Sequence, residues 1–126
     1  MKILIIDDEQ PLLKLYSVLL AKEGIEVAFN TEGNLAFQRV KEMKPNLVLL
    51  NLMLPKKNGF DVLVEIKKDP ETKNIPVIIF SNLSQATDIA KAKDLGAVDY
   101  IVKPNVPLAE VITIIKNNVF GKVEGN

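Results

Sequence analysis

Four polar stretches carry the residue types from which chemistry is built: Asp7-Asp8-Glu9, Asn51, Ser81-Asn82 and Lys103-Pro104. Each follows directly on a short apolar run. Adjacent carboxylates offer hard oxygen ligands, which suit a divalent cation such as Mg²⁺ at a site open to solvent. A lysine ammonium and a serine hydroxyl beside such an ion would supply the charge and donors that phosphoryl oxygens need in phosphoryl transfer. Taken alone, the acidic triplet is better explained by a helix start, where Asp8 and Glu9 would face the positive end of the helix. The lysine, the hydroxyl and Asn51 at equivalent places tip the balance toward a site.

Composition narrows the choice. The 126 residues contain 16 Lys+Arg and 16 Asp+Glu, for a net charge of zero, and lack cysteine, histidine and tryptophan. Without cysteine or histidine there is no disulfide framework, thiolate zinc site, histidine metal cluster or Ser-His-Asp triad. A neutral chain with one arginine, Arg39, is poorly equipped for nucleic acid. The apolar start, Ile3 to Ile6, is too short for a signal peptide or membrane span, so a soluble, cytoplasmic protein is expected.

The elements that must position these residues are legible in the periodicity. Apolar runs at Ile3 to Ile6, Leu47 to Leu50, Val77 to Phe80 and Tyr100 to Val102, with a weaker one at Ile25 to Phe29, read as strands buried on both faces. Helical stripes lie between them: Leu12, Leu13, Tyr16, Leu19 and Leu20; then Leu35, Phe37, Val40 and Met43; then Val62, Leu63 and Ile66. Ile89, Ala90, Ala92, Lys93 and Leu95 follow, and Leu108, Val111, Ile112, Ile115 and Val119 close the pattern. Gly24 and Gly96 mark helix ends, and Pro11 and Pro107 are placed just inside helix starts. Asn58-Gly59 reads as a tight turn needing positive φ. Five alternations of strand and helix predict an α/β protein with a parallel sheet covered on both faces, in one domain over 1–120 with a polar tail over 121–126. Ligands then bind beyond the carboxyl ends of the strands, where the polar stretches fall.

The runs Ile3-Leu4-Ile5-Ile6-Asp7-Asp8-Glu9, Pro45 to Pro55 with Asn58-Gly59 behind it, Ile75 to Ser81, and Gly96 to Pro104 together resemble a response-regulator receiver domain over about residues 2 to 119. The resemblance implies a flavodoxin-like, doubly wound (βα)5 sheet of order 2-1-3-4-5. It also implies transfer of a phosphoryl group from a partner's histidine to a receiver aspartate. By position, Asp7 and Asp8 would hold Mg²⁺, with Asp8 a direct ligand and the Met53 carbonyl another. Ser81 and Lys103 would contact phosphoryl oxygens, Pro104 would follow a cis peptide bond, and Tyr100 would swing inward with Ser81.

The phosphoacceptor position is occupied by Asn51. An amide has no anionic oxygen to attack phosphorus, so the chain as written is not phosphorylatable, and Mg²⁺ binding, to which the Asn51 carbonyl would contribute, is expected to be weakened. Because Asp7, Asp8, Ser81 and Lys103 all persist, the preferred reading is a normal receiver changed from Asp to Asn to hold the inactive state. The alternative is a natural, phosphorylation-independent pseudo-receiver acting as an interaction module.

Expected partners are a histidine kinase or phosphotransfer protein and an effector on the Ser84 to Val119 face. Lys116, where a dimerising subfamily carries arginine, favours a monomer. Asn82 caps a turn or narrows the pocket, and Lys56 and Lys57 read as solvated charges. A switch rather than an enzyme is expected. A dinucleotide enzyme would need a glycine-rich turn after the first strand, and a phosphohydrolase a cap insertion for which the length leaves no room.

Overall fold

The computed structural model describes residues 1–103 and 106–120. Its strands are β1 Lys2–Ile6, β2 Glu26–Asn30, β3 Leu47–Leu50, β4 Val77–Ser81 and β5 Asp99–Val102. The helices are α1 Gln10–Ala21, α2 Ala36–Met43, α3 Gly59–Lys68, α4 Ala86–Asp94 and α5 Leu108–Phe120. All pairings are parallel and the strand order is β2-β1-β3-β4-β5. This is the doubly wound, flavodoxin-like arrangement expected from the sequence. Among the described residues no helix is long and apolar enough to cross a membrane.

Strand alternation splits the core into two layers. Ile3, Ile5, Leu47, Leu49, Ile78, Phe80 and Ile101 pack with Leu13, Tyr16 and Leu20 of α1 and Val111, Ile115 and Val119 of α5. Leu4, Ile6, Val48, Leu50, Val77 and Ile79 face the other way, onto α2, α3 and α4. β3 and residues Ile3–Ile6 are buried on both faces, which explains their unbroken apolar runs. Each such side chain removed from water contributes about 1.5–3 kcal/mol before chain entropy is set against it. The chain leaves β1 on the α1 side and leaves β3 on the other, so the order reverses between them. Their carboxyl ends, at Asp7 and Asn51, therefore flank the crevice where such sheets bind ligands.

Several local expectations differ. Asn58-Gly59 is not a positive-φ turn. Asn58 is extended (φ −72°, ψ 159°) and caps α3, its side chain accepting from the Asp61 N–H. The positive φ of this loop falls on Lys56, at 72°. Gly59 is needed because a Cβ there would collide with the Asn51 carbonyl and lie 2.6 Å from Leu52 Cα. Leu35 is exposed at the start of α2, and Ala36 with Val40 takes its place inward. α4 buries only Ala92, because it covers the sheet near an edge. Pro107 stands just before α5, its carbonyl accepting the Val111 N–H. Lys57 is paired with Glu65 at 2.8 Å and Lys56 with Glu32 at 3.2 Å, so neither lysine is only a solvated charge.

Candidate functional site

Asp7 extends β1 by one residue, its backbone N–H donating to Asn30 O, which leaves its side chain buried at the sheet edge. A buried carboxylate must be paired and hydrogen-bonded. Asp7 Oδ1 accepts from the Glu9 N–H at 3.1 Å and from Asn51 Nδ2 at 3.3 Å. Asp7 Oδ2 accepts from Lys103 Nζ at 2.6 Å. The Lys103 ammonium also donates to Glu9 Oε1 at 2.7 Å and lies 4.8 Å from the centre of the Phe80 ring. Three strand ends are thus tied through one carboxylate.

Asn51 follows β3, anchored by its N–H to Ile6 O. Its amide nitrogen donates to Asp7 Oδ1 and, at 3.2 Å, to the Met53 carbonyl. Its Oδ1 accepts from the Met53 N–H at 3.2 Å. Turning the amide over would set its nitrogen against an N–H and its oxygen against two oxygens, so the neighbours dictate its orientation. The Asn51 carbonyl is therefore directed away from the place where it would ligate a cation. Its nitrogen stands instead between the Asp7 and Met53 oxygens expected to hold Mg²⁺. Asp8 is exposed, and among the described residues no three acidic groups are gathered to hold a metal. In this arrangement the residues do not fit a bound dication.

Ser81 is fully buried at the end of β4. Its hydroxyl accepts from the Leu83 N–H at 3.2 Å, and its carbonyl takes the Lys103 N–H at 2.8 Å. Tyr100 is half-buried, and its hydroxyl donates to Leu83 O at 2.7 Å, so Ser81 and Tyr100 hold the same loop residue. Burial raises the Tyr100 phenol above its usual range, with the Asp88 carboxylate adding and the Ser81 hydroxyl opposing. Pro104 lies outside the described residues. The sequence reading missed Glu9 as a partner of Lys103; its only signal was adjacency to the aspartates. It also missed Gly33, whose Cβ would strike the Lys57 carbonyl of the loop behind Asn51.

Beside this cluster an open cleft of about 280 Å³ is lined by Glu9, Leu12, Tyr16, Phe80, Asn82 and Lys103, among others. Exposed Asn82 thus sits on the cleft wall. Tyr16 packs edge-on against Phe80 with ring centres 5.8 Å apart. Burial, then the charges of Asp7 and Glu9, push its phenol up from 10.0 to about 12. Well below pH 10.0 the phenol is neutral in folded and unfolded chain alike; as pH rises through 10.0 the unfolded chain ionises first, so stability falls as pH rises toward about 12. Tyr16→Phe is expected to flatten this alkaline loss, read as Tm between about pH 9 and 12. An unchanged slope would show that other groups cause it.

A family model described as the response regulator receiver domain matches residues 3–116. The DNA-binding response regulator MtrA of Mycobacterium tuberculosis is 35% identical over 106 residues, covering 84% of this chain and 45% of that protein. The chain thus spans about half the length of such curated relatives. The crystal structure of the phosphorylated cyanobacterial phytochrome response regulator RcpA superposes with a TM-score of 0.82 at 30% identity, covering 98% of this chain and 96% of the other. The Mn²⁺-bound form of response regulator Rcp1 gives 0.80 at 26% identity, with the same coverage.

Proposed function

This chain belongs to the response regulator receiver domain family, and we propose that, with aspartate at position 51, it accepts a phosphoryl group from a histidine kinase or phosphotransfer protein, while Asn51 holds it unphosphorylated. In that aspartate form a carboxylate oxygen would attack phosphorus as the P–N bond to the donor imidazole breaks, leaving an acyl phosphate on the receiver. The donor histidine would be a partner's, as these 126 residues hold none. Lys103 and Ser81 would then turn to the phosphoryl oxygens, and Tyr100, tied with Ser81 to Leu83, would carry the change toward the Ser84 to Val119 face. An effector binding there would read it. The protein acts as a cytoplasmic, monomeric switch, not as an enzyme.

The observation carrying this reading is the convergence of Asp7, Asn51 and Lys103 at the β1–β3 crevice, with Ser81 bonded through its carbonyl to the Lys103 backbone. A second reading, a pseudo-receiver that signals without phosphate, is favoured by the Asn51 amide, whose oxygen and nitrogen all have partners. Asn51→Asp, offered a small phosphodonor with Mg²⁺, is expected to gain the mass of one phosphoryl group, and the chain itself none. A variant that stays unmodified sinks the phosphorelay reading and leaves the pseudo-receiver.

A further inference from the structure

We infer that the Lys103 ammonium and the Asn51 amide together replace a divalent cation in this chain, so that its site is complete without metal. A dication in such a pocket does two things: it neutralises the carboxylates and fills oxygen lone pairs that would otherwise repel one another. Here both tasks are already done by protein groups. The ammonium bridges Asp7 Oδ2 and Glu9 Oε1 at 2.6 and 2.7 Å. The amide nitrogen bridges Asp7 Oδ1 and the Met53 carbonyl at 3.3 and 3.2 Å. The Glu9 N–H fills the remaining direction at Asp7 Oδ1.

An incoming ion would have to displace the amide from both oxygens and draw Asp7 from a buried ammonium. Asp8, the direct ligand that the family resemblance implies, is exposed and would have to be drawn from water as well. Aspartate at position 51 reverses the situation. It would bring a carboxylate oxygen against Asp7 Oδ1 and the Met53 carbonyl with no proton between them, a repulsion that a cation relieves. Exchanging one NH₂ for an oxygen thus turns a self-sufficient site into one that demands metal. The inference concerns the resting chain and stands whether or not the Asn51→Asp variant is phosphorylated, so the two can fail separately.

The test is thermal unfolding in EDTA and in about 10 mM MgCl₂ at matched ionic strength, with MnCl₂ as a second probe. The chain itself is expected to shift by less than about 1 °C, whereas Asn51→Asp gains about 4 °C from Mg²⁺. A saturable rise in the unaltered chain that Asp8→Ala abolishes would overturn the inference. So would an Asn51→Asp variant indifferent to both ions.

Discussion

Replacing Lys103 by methionine is expected to destabilise the protein by about 3 kcal/mol, although the methionine fills most of the same space. Lys103 and Asp7 have side chains only 6% and 2% exposed and meet at 2.6 Å. Removing one partner leaves the other charged in a place from which water is excluded, and that uncompensated charge dominates the cost. The expected loss sits at the low end of the usual range because the Glu9 N–H and the Asn51 amide still donate to Asp7. Glu9→Gln makes the control. Its side chain is 53% exposed, so the same ammonium loses a solvated partner and stability changes by less than about 1 kcal/mol. Urea unfolding of both variants checks the contrast. Equal losses would mean that the Asp7 pair is no more important than a surface contact.

Gly59→Ala is expected to cost about 2 kcal/mol, against the preference of a helix for alanine over glycine, worth about 1 kcal/mol in an exposed interior. The added methyl would press on the Asn51 carbonyl and on Leu52 Cα at 2.6 Å, both backbone, and neither can rotate away as a side chain would. Gly59 also donates its N–H to Leu52 O at 2.8 Å, so α3 is clamped to the segment that follows β3. Easing the clash moves Asn51 relative to Asp7 and Met53. The Asn51 side-chain NH₂ resonances are therefore expected to shift in an amide correlation spectrum, together with the drop in urea midpoint. A variant as stable as the parent, with those resonances unmoved, would show that the loop absorbs the methyl without touching the site.

Much of the architecture is legible in the chain itself. The run Leu47 to Leu50 coincides with β3; β1, β4 and β5 each extend their apolar runs by one residue at one end, and β2 is shifted by one residue, to Glu26–Asn30. Burial on both faces leaves little room for another reading of four consecutive leucines and valines. Where periodicity misled, tertiary contact was the cause. Asn58-Gly59 has the composition of a turn, yet the close approach of α3 to the Asn51 backbone, and not a positive φ, requires the glycine. Leu35 fits a helical stripe by spacing, but α2 begins after it and the smaller Ala36 takes the inward position.

The site was legible as an inventory. Asp7, Asn51, Ser81 and Lys103 all follow apolar runs, and the alternation of strands and helices obliges such positions to gather at one edge. Apolar periodicity is a local property, written into each stretch of chain, so it survives being read in one dimension. The pairing of Lys103 with Asp7 and Glu9, across 96 and 94 positions, is not local. Neither is the direction in which the Asn51 amide turns, which depends on an N–H and a carbonyl at Met53 and a carboxylate brought in by β1. Residue types and their places after the strands told which groups gather at one edge. Folding, by removing water and leaving each buried oxygen to find its own donor, set the Lys103 ammonium on Asp7 and Glu9 and the Asn51 amide on Asp7 and Met53.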